Sequence, residues 1–130
     1  MTDSARQQRD WVSSRLSRFL AWGVPTAALV IAIFLAPPAR TLIWSLSLLW
    51  MGVACIANAT RCGRTHCYFT GPFFLIMAVG VVLHGSGILW LGANGWIWLG
   101  TTIVVGGYGV LWLLPERIWG KFARFSRSTK

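Results

Sequence analysis

TLIWSLSLLWMGVACIANA, residues 41–59, carries no charged side chain. Its length is close to the ~20 residues a helix needs to cross a hydrocarbon core of ~30 Å. Backbone N–H and C=O groups find no water in lipid, so a segment of this kind is expected to be helical. Working outward, three further stretches share the pattern, at about residues 20–36, 72–91 and 95–114. The expected fold is therefore all-α: a four-transmembrane-helix bundle over residues 20–114, with basic arms at 1–19 and 115–130.

Composition points the same way. Of 130 residues, 55% are hydrophobic and 12% charged, and the mean hydropathy is +0.60. The charges are confined to the arms and the short connections. That is the distribution of a multi-pass membrane protein rather than of a soluble core. Prolines punctuate it. Pro37-Pro38 reads as the stop of the first span and Pro115 as the end of the fourth. Pro25 is expected to kink the first span near one end. Pro72 reads as a start signal, because proline at the first helical position costs no hydrogen bond. No small-x-small cleavage pattern follows the first span and a second span comes soon after, so the first is expected to be a retained signal-anchor helix.

Orientation follows from the basic residues. All lysines and arginines except Arg40 lie in the N-terminal arm, the connection carrying Arg61 and Arg64, or the C-terminal arm. With four spans these three segments fall on one side, which the positive-inside rule assigns to the cytoplasm. The expected location is the cell (inner) membrane, with both termini inside. In the arms, Trp11, Val12, Leu16 and Phe19, and then Ile118, Trp119, Phe122 and Phe125, recur at helical spacing among basic residues. Both arms read as basic amphipathic helices on anionic lipid headgroups. Trp22 and Trp112 are expected at the inner interface, and Trp44, Trp90, Trp96 and Trp98 at the outer one. Trp50, deeper in its span, is expected between helices. Gly80, Gly100, Gly106, Gly107 and Gly109 are expected to allow close helix contacts.

Several function classes lack the residues they need. Asp3, Asp10 and Glu116 are the only carboxylates and all lie in the arms, which leaves no pair inside the spans for glycoside hydrolysis or a carboxylate-bridged metal pair. The net charge of +9 flanks apolar spans, so it favours lipid headgroups over nucleic acid. No catalytic residue is assigned. The protein partner stays open between a second copy and a membrane-complex subunit.

The chemistry-bearing segment is CIANATRCGRTHCYFTGP, residues 55–72, which contains all three cysteines and one of the two histidines. Facing a reducing compartment, these thiols are better read as metal ligands or redox groups than as disulfide staples. Cys55, Asn58 and Cys62 fall on one helical stripe, and Gly63 lets the chain turn towards His66 and Cys67. The positive end of the following helix and the nearby arginines favour thiolate. Cys55, Cys62, Cys67 and His66 are thus a candidate soft-metal set for mercury, copper or zinc. Cys55, a turn deeper, is expected to contribute less than the other two thiols. The bland alternative is a small buried cysteine beside a polar turn. His84 is placed near the bilayer midplane, as an intramembrane polar residue that is either functional or bonded to Ser45, Ser86 or a carbonyl. On a continuous helix it lies ~27 Å from His66, too far to share a haem iron.

The run Cys62-Gly-Arg-Thr-His66-Cys67-Tyr-Phe-Thr-Gly-Pro72 resembles a motif of small, largely uncharacterised bacterial multi-pass membrane proteins. Chain size, span count and cysteine placement also distantly resemble the small mercuric-ion transport proteins. Those carry an adjacent cysteine pair in their first span, which has no cysteine here. The resemblance implies thiols at the inner membrane face that pass a thiophilic ion onward. Three readings result: soft-metal binding or transfer, a non-catalytic membrane subunit or lipid- or partner-docking protein with incidental cysteines, and a thiol-dependent membrane enzyme with His66 as base.

Overall fold

The computed structural model describes residues 2–10 and 13–120; the side chains of Asp3, Arg6, Gln7, Cys62 and Trp119 lie outside that description. The described residues form helices: α1 (Asp3–Arg9), α2 (Arg15–Arg18), α3 (Val24–Ala32), α4 (Pro37–Cys62), α5 (Thr65–Gly85), α6 (Gly95–Thr102) and α7 (Leu111–Trp119). Two π-helical segments join them without a break, Phe19–Gly23 between α2 and α3, and Ile103–Val110 between α6 and α7. Three helical stretches are long and apolar enough to cross a membrane: Pro37–Arg61, Thr65–Gly85 and Gly95–Ile118. The first expected span is a shorter unit, π-helical and then α-helical, packed on α4.

The helix ends depart from the proline reading in each case, for local reasons. α3 stops at Ala32, and the Arg40 guanidinium bonds the freed carbonyls of Ala32, Ile33 and Leu35 at 3.3, 2.8 and 3.1 Å. A basic group on a helix C-terminus satisfies orphan acceptors and the dipole together. Pro37 opens α4 rather than merely ending its predecessor. Pro72 is not a start: α5 begins at Thr65 and runs through it. Pro115 likewise lies inside α7, which continues to Trp119. An internal proline forfeits one hydrogen bond and strains the turn before it; both of these helices are held by tertiary contacts on either side of it. Pro25 follows the π-helical turn, whose wider register accommodates a missing N–H.

The N-terminal arm is not one amphipathic helix. α1 ends before Asp10, which is buried, and α2 restarts at Arg15. Trp11 and Val12 lie outside the described residues, as do Phe122, Phe125 and the rest of the C-terminal arm beyond Gly120.

The core is built by α4 and α5, the most extensive pairing in the molecule. Leu48, Met51 and Cys55 on α4 meet Cys67, Phe74 and Val81 on α5, all essentially inaccessible. Gly52 and Gly71 mark the tightest approach. A Cβ on Gly71 would sit 2.7 Å from Ile56 Cγ1 and 3.3 Å from the Gly52 carbonyl. Gly107 and Gly106 do allow close contact, with Phe74 and Phe73; Gly109 faces open space. Trp50 is exposed, not wedged between helices, whereas Trp44 and Trp22 are buried. The reason is rotational phase: α4 turns Met51 and Cys55 inward, which directs Trp50 outward.

Candidate functional site

Four parts of the chain converge at one end of the bundle. α4 contributes Cys55 and Asn58, which share a face as positions i and i+3. The first turns of α5 contribute His66, Cys67 and Thr70. α7 brings Trp112 and Glu116, and the segment after α1 brings Asp10. Arg64, in the α4–α5 connection, joins them, and Trp22 reaches in from the first π-helical turn. The connection itself depends on Gly63, whose φ of 73° is a left-handed C-cap that glycine adopts at little steric cost.

At the centre Cys55 on α4 and Cys67 on α5 lie near enough for their thiols to interact. Cys55 Sγ also accepts a hydrogen bond from Trp22 Nε1 at 3.4 Å. The Thr70 hydroxyl, bonded to the His66 carbonyl at 2.9 Å, lies 3.5 Å from the same sulfur. Cys67 Sγ accepts from Asn58 Nδ2 at 3.6 Å and sits 3.4 Å from His66 Nε2. The other ring nitrogen of His66, Nδ1, is 2.7 Å from Glu116 Oε1. A carboxylate on Nδ1 favours the tautomer with its proton there, which turns the Nε2 lone pair towards the thiol. The ring is stacked on Trp112, centroids 4.2 Å apart and planes within 9°. Cys55, Cys67, His66, Asn58 and Thr70 are all fully buried.

Charge around this centre is balanced by Arg64. Its Nη1 pairs closely with Asp10, and its Nε lies 2.7 Å from Glu116 Oε1. Asn58 Nδ2 donates to the second Asp10 oxygen at 2.8 Å. Burial opposes the Arg64 charge, but the hydrogen bonds it donates to Glu116 and Asp10 outweigh it and hold the guanidinium above its ordinary pKa. A buried cation between two carboxylates is tolerable only because each charge has partners. Thr65 closes the corner by donating to the Gly120 carbonyl at 2.6 Å.

The structure brings Cys55, Cys67, His66 and Asn58 together, as the sequence motif suggests, but changes the pairing. Cys55 lies in the same buried centre as Cys67 rather than apart from it. Cys62 ends α4, and its side chain lies outside the described residues. Among the described residues no group of three or more His, Cys, Asp or Glu side chains is arranged to hold a metal ion. His84 is not part of the site. Because α5 begins at Thr65, this residue falls next to the helix end rather than mid-span. Its Nδ1 is 3.2 Å from the Leu89 carbonyl and its ring packs edge-on against Trp96.

Sequence reading missed Asp10, Arg64 and Glu116 as site residues because they lie in arms and a connection. Two of the three carboxylates, Asp10 and Glu116, in fact meet at the bundle end, joined by Arg64. Their scarcity in so apolar a chain was the available signal. Trp22 and Trp112, expected at the inner interface, wall the thiol and the imidazole. Comparison with protein-family models, curated proteins and solved structures finds no match to this chain.

Proposed function

We propose that this chain is a multi-pass inner-membrane protein that crosses four times with both termini in the cytoplasm, and that its Cys55–Cys67 pair binds and passes on a thiophilic metal ion. The topology is supported by two features. The helical run from Arg15 to Ala32 is ~27 Å long, enough to serve as a fourth crossing. Asp10, Arg64 and Glu116 meet at one end, as an even number of crossings requires, and that end carries the basic excess. Reporters fused at either terminus are expected to read as cytoplasmic, and reporters after Pro38 or at Ala93-Asn94 as external. Opposite sides for the two termini would sink the topology.

The single observation that carries the metal reading is the convergence of two fully buried cysteines from α4 and α5 at one end of the bundle, each with a hydrogen-bond donor aimed at its sulfur. A soft metal would bind here by displacing the thiol protons, since the thiolate is the form that ligates it. Two facing sulfurs with an imidazole beside one of them suit copper(I) or mercury(II) better than zinc, which takes four donors. His66 is an auxiliary ligand or the orienting neighbour of Cys67. Purified protein in detergent is expected to bind one equivalent of copper(I) or mercury(II), and Cys55→Ser with Cys67→Ser to bind none while still inserting. Equal metal content in that double variant would refute the reading and leave the non-catalytic subunit in its place.

One observation favours a second reading. Glu116, His66 and Cys67 follow the order carboxylate, imidazole, thiol, which is how a nucleophilic thiol is activated. A thiol enzyme would leave a covalent adduct on Cys67 with an electrophilic probe, at a rate lowered by Glu116→Gln. A metal site predicts instead that bound copper(I) protects Cys67 from the probe.

A further inference from the structure

The thiol pair is not the end of the sulfur in this bundle. Met51 lies one helical turn before Cys55 on the same face of α4, and it too is fully buried. Its Sδ accepts a hydrogen bond from the Tyr108 hydroxyl at 3.2 Å, with the Thr26 hydroxyl 3.9 Å away. Those two hydroxyls are 2.6 Å from each other. A methionine that only fills space needs no hydroxyl beside its sulfur, whereas this one has two.

The surrounding backbone singles out the same place. The two π-helical segments of the described residues flank this column of sulfurs. The first carries Trp22, which donates to Cys55, and leads directly to Thr26. The second carries Tyr108, which donates to Met51. π-Helical turns are rare, forfeit regular hydrogen bonding and recur at functional sites. Here each places an aromatic donor on a sulfur. Beyond Met51, Thr26 and Tyr108 also line a groove of about 390 Å³ between α3 and the second π-helical segment. The order from the bundle end is thus His66, Cys67, Cys55, Met51, two hydroxyls and then the groove.

We infer that Met51 is the next ligand after the thiol pair, and that the cargo is accordingly a soft monovalent ion, copper(I) or silver(I), handed from Cys55 to the thioether along α4. This rests on the thiol-pair reading above and narrows it. Thioether sulfur is neutral and soft, so it holds copper(I) but offers little to zinc. The hydrogen bond it must release to accept the ion is the weak one from Tyr108, and that hydroxyl keeps Thr26 as a partner. No electron moves in the hand-over: one sulfur ligand replaces another on the ion, and the vacated Cys55 thiolate takes back the proton that binding had displaced.

The test uses full-length protein in detergent, grown with selenomethionine and loaded with copper(I) under a reductant. Selenium-edge X-ray absorption reads whether a selenium atom is bonded to copper. The expected result is a selenium–copper vector that is lost in Met51→Leu and kept in Met77→Leu. Leucine conserves volume at a buried methionine well enough to leave the fold intact, and copper bound by the thiols in Met51→Leu reports that it has. Copper bound without a selenium–copper vector would overturn the Met51 inference alone. A vector that survives Met51→Leu, or is lost equally in Met77→Leu, would overturn it too. Failure of the wild-type protein to bind copper(I) would overturn both this inference and the thiol reading beneath it.

Discussion

The two histidines of α5 have the same side chain on the same helix and opposite fates. His66 is fully buried, with Glu116 on one ring nitrogen, Cys67 at the other and Trp112 across its face. His84 is half-buried, bonded to one backbone carbonyl and packed edge-on against Trp96. The arginines divide in the same way. Arg64 joins two carboxylates inside the bundle end, whereas Arg40 caps carbonyls at the opposite end and lies 5.1 Å over the Trp96 ring. The lesson is one of interdependence. At the Arg64 end Asp10, Asn58, Arg64, His66 and Glu116 bond one another's side chains, so removing one disturbs several. At the Arg40 end polar groups satisfy backbone carbonyls that have other options.

That contrast is most severely tested at Arg64. Arg64→Met should strand two carboxylates and cost about 3–5 kcal/mol, read as a large shift in the denaturant midpoint of detergent-solubilised protein by tryptophan fluorescence. Arg64→Lys should recover only part of the loss, because an ammonium cannot reproduce the planar fork that spans Asp10 and Glu116. If Arg40→Met were equally damaging, the division between the two ends would fail.

Next in size is the helix crossing that brings the thiols together. Gly71→Val would drive a side chain into Ile56 and the Gly52 carbonyl, an overpacking worth about 1–3 kcal/mol. It should also slow mild oxidation of Cys55 and Cys67 to a disulfide, since the thiols would no longer meet. Gly109→Ala, in open space, should change neither reading.

A smaller effect is expected at the opposite end. His84→Leu removes one hydrogen bond to a carbonyl and should cost about 1 kcal/mol, with metal binding unchanged. A loss of binding in that variant would mean that the two ends are coupled.

The smallest expected effect is none. Arg64 has its pKa raised on folding, so its contribution is fully present below its already strongly alkaline ordinary value and is lost only as pH rises beyond that. Stability should therefore be flat from neutral to mildly alkaline pH as far as this residue is concerned. A fall in that window, absent from Arg64→Met, would show that the guanidinium is less firmly held than its two carboxylates imply.

Periodicity and charge made the helices legible, because a lipid-crossing chain has few ways to satisfy its backbone. Residues 41–59 lie wholly within α4, and the segments at 72–91 and 95–114 overlap long helices. The ends were not legible. Pro72 and Pro115 look like boundaries by local rule, yet both sit inside helices whose flanking turns are engaged in the site. Likewise Cys55, Asn58, His66 and Cys67 could be found from clustering alone, since few polar side chains interrupt so apolar a chain.

What the sequence determined by itself is the helical class, the apolar segments and the neighbourhood of the thiols, all of which follow from local composition and spacing. Tertiary structure alone decided that Cys55 faces Cys67, that Met51 continues the line of sulfur, and that Asp10 and Glu116 enter the site from distant arms. Those facts depend on the rotational phase of each helix and on the Gly52–Gly71 crossing. Both are set by packing between segments far apart in the chain, on which local spacing carries no information.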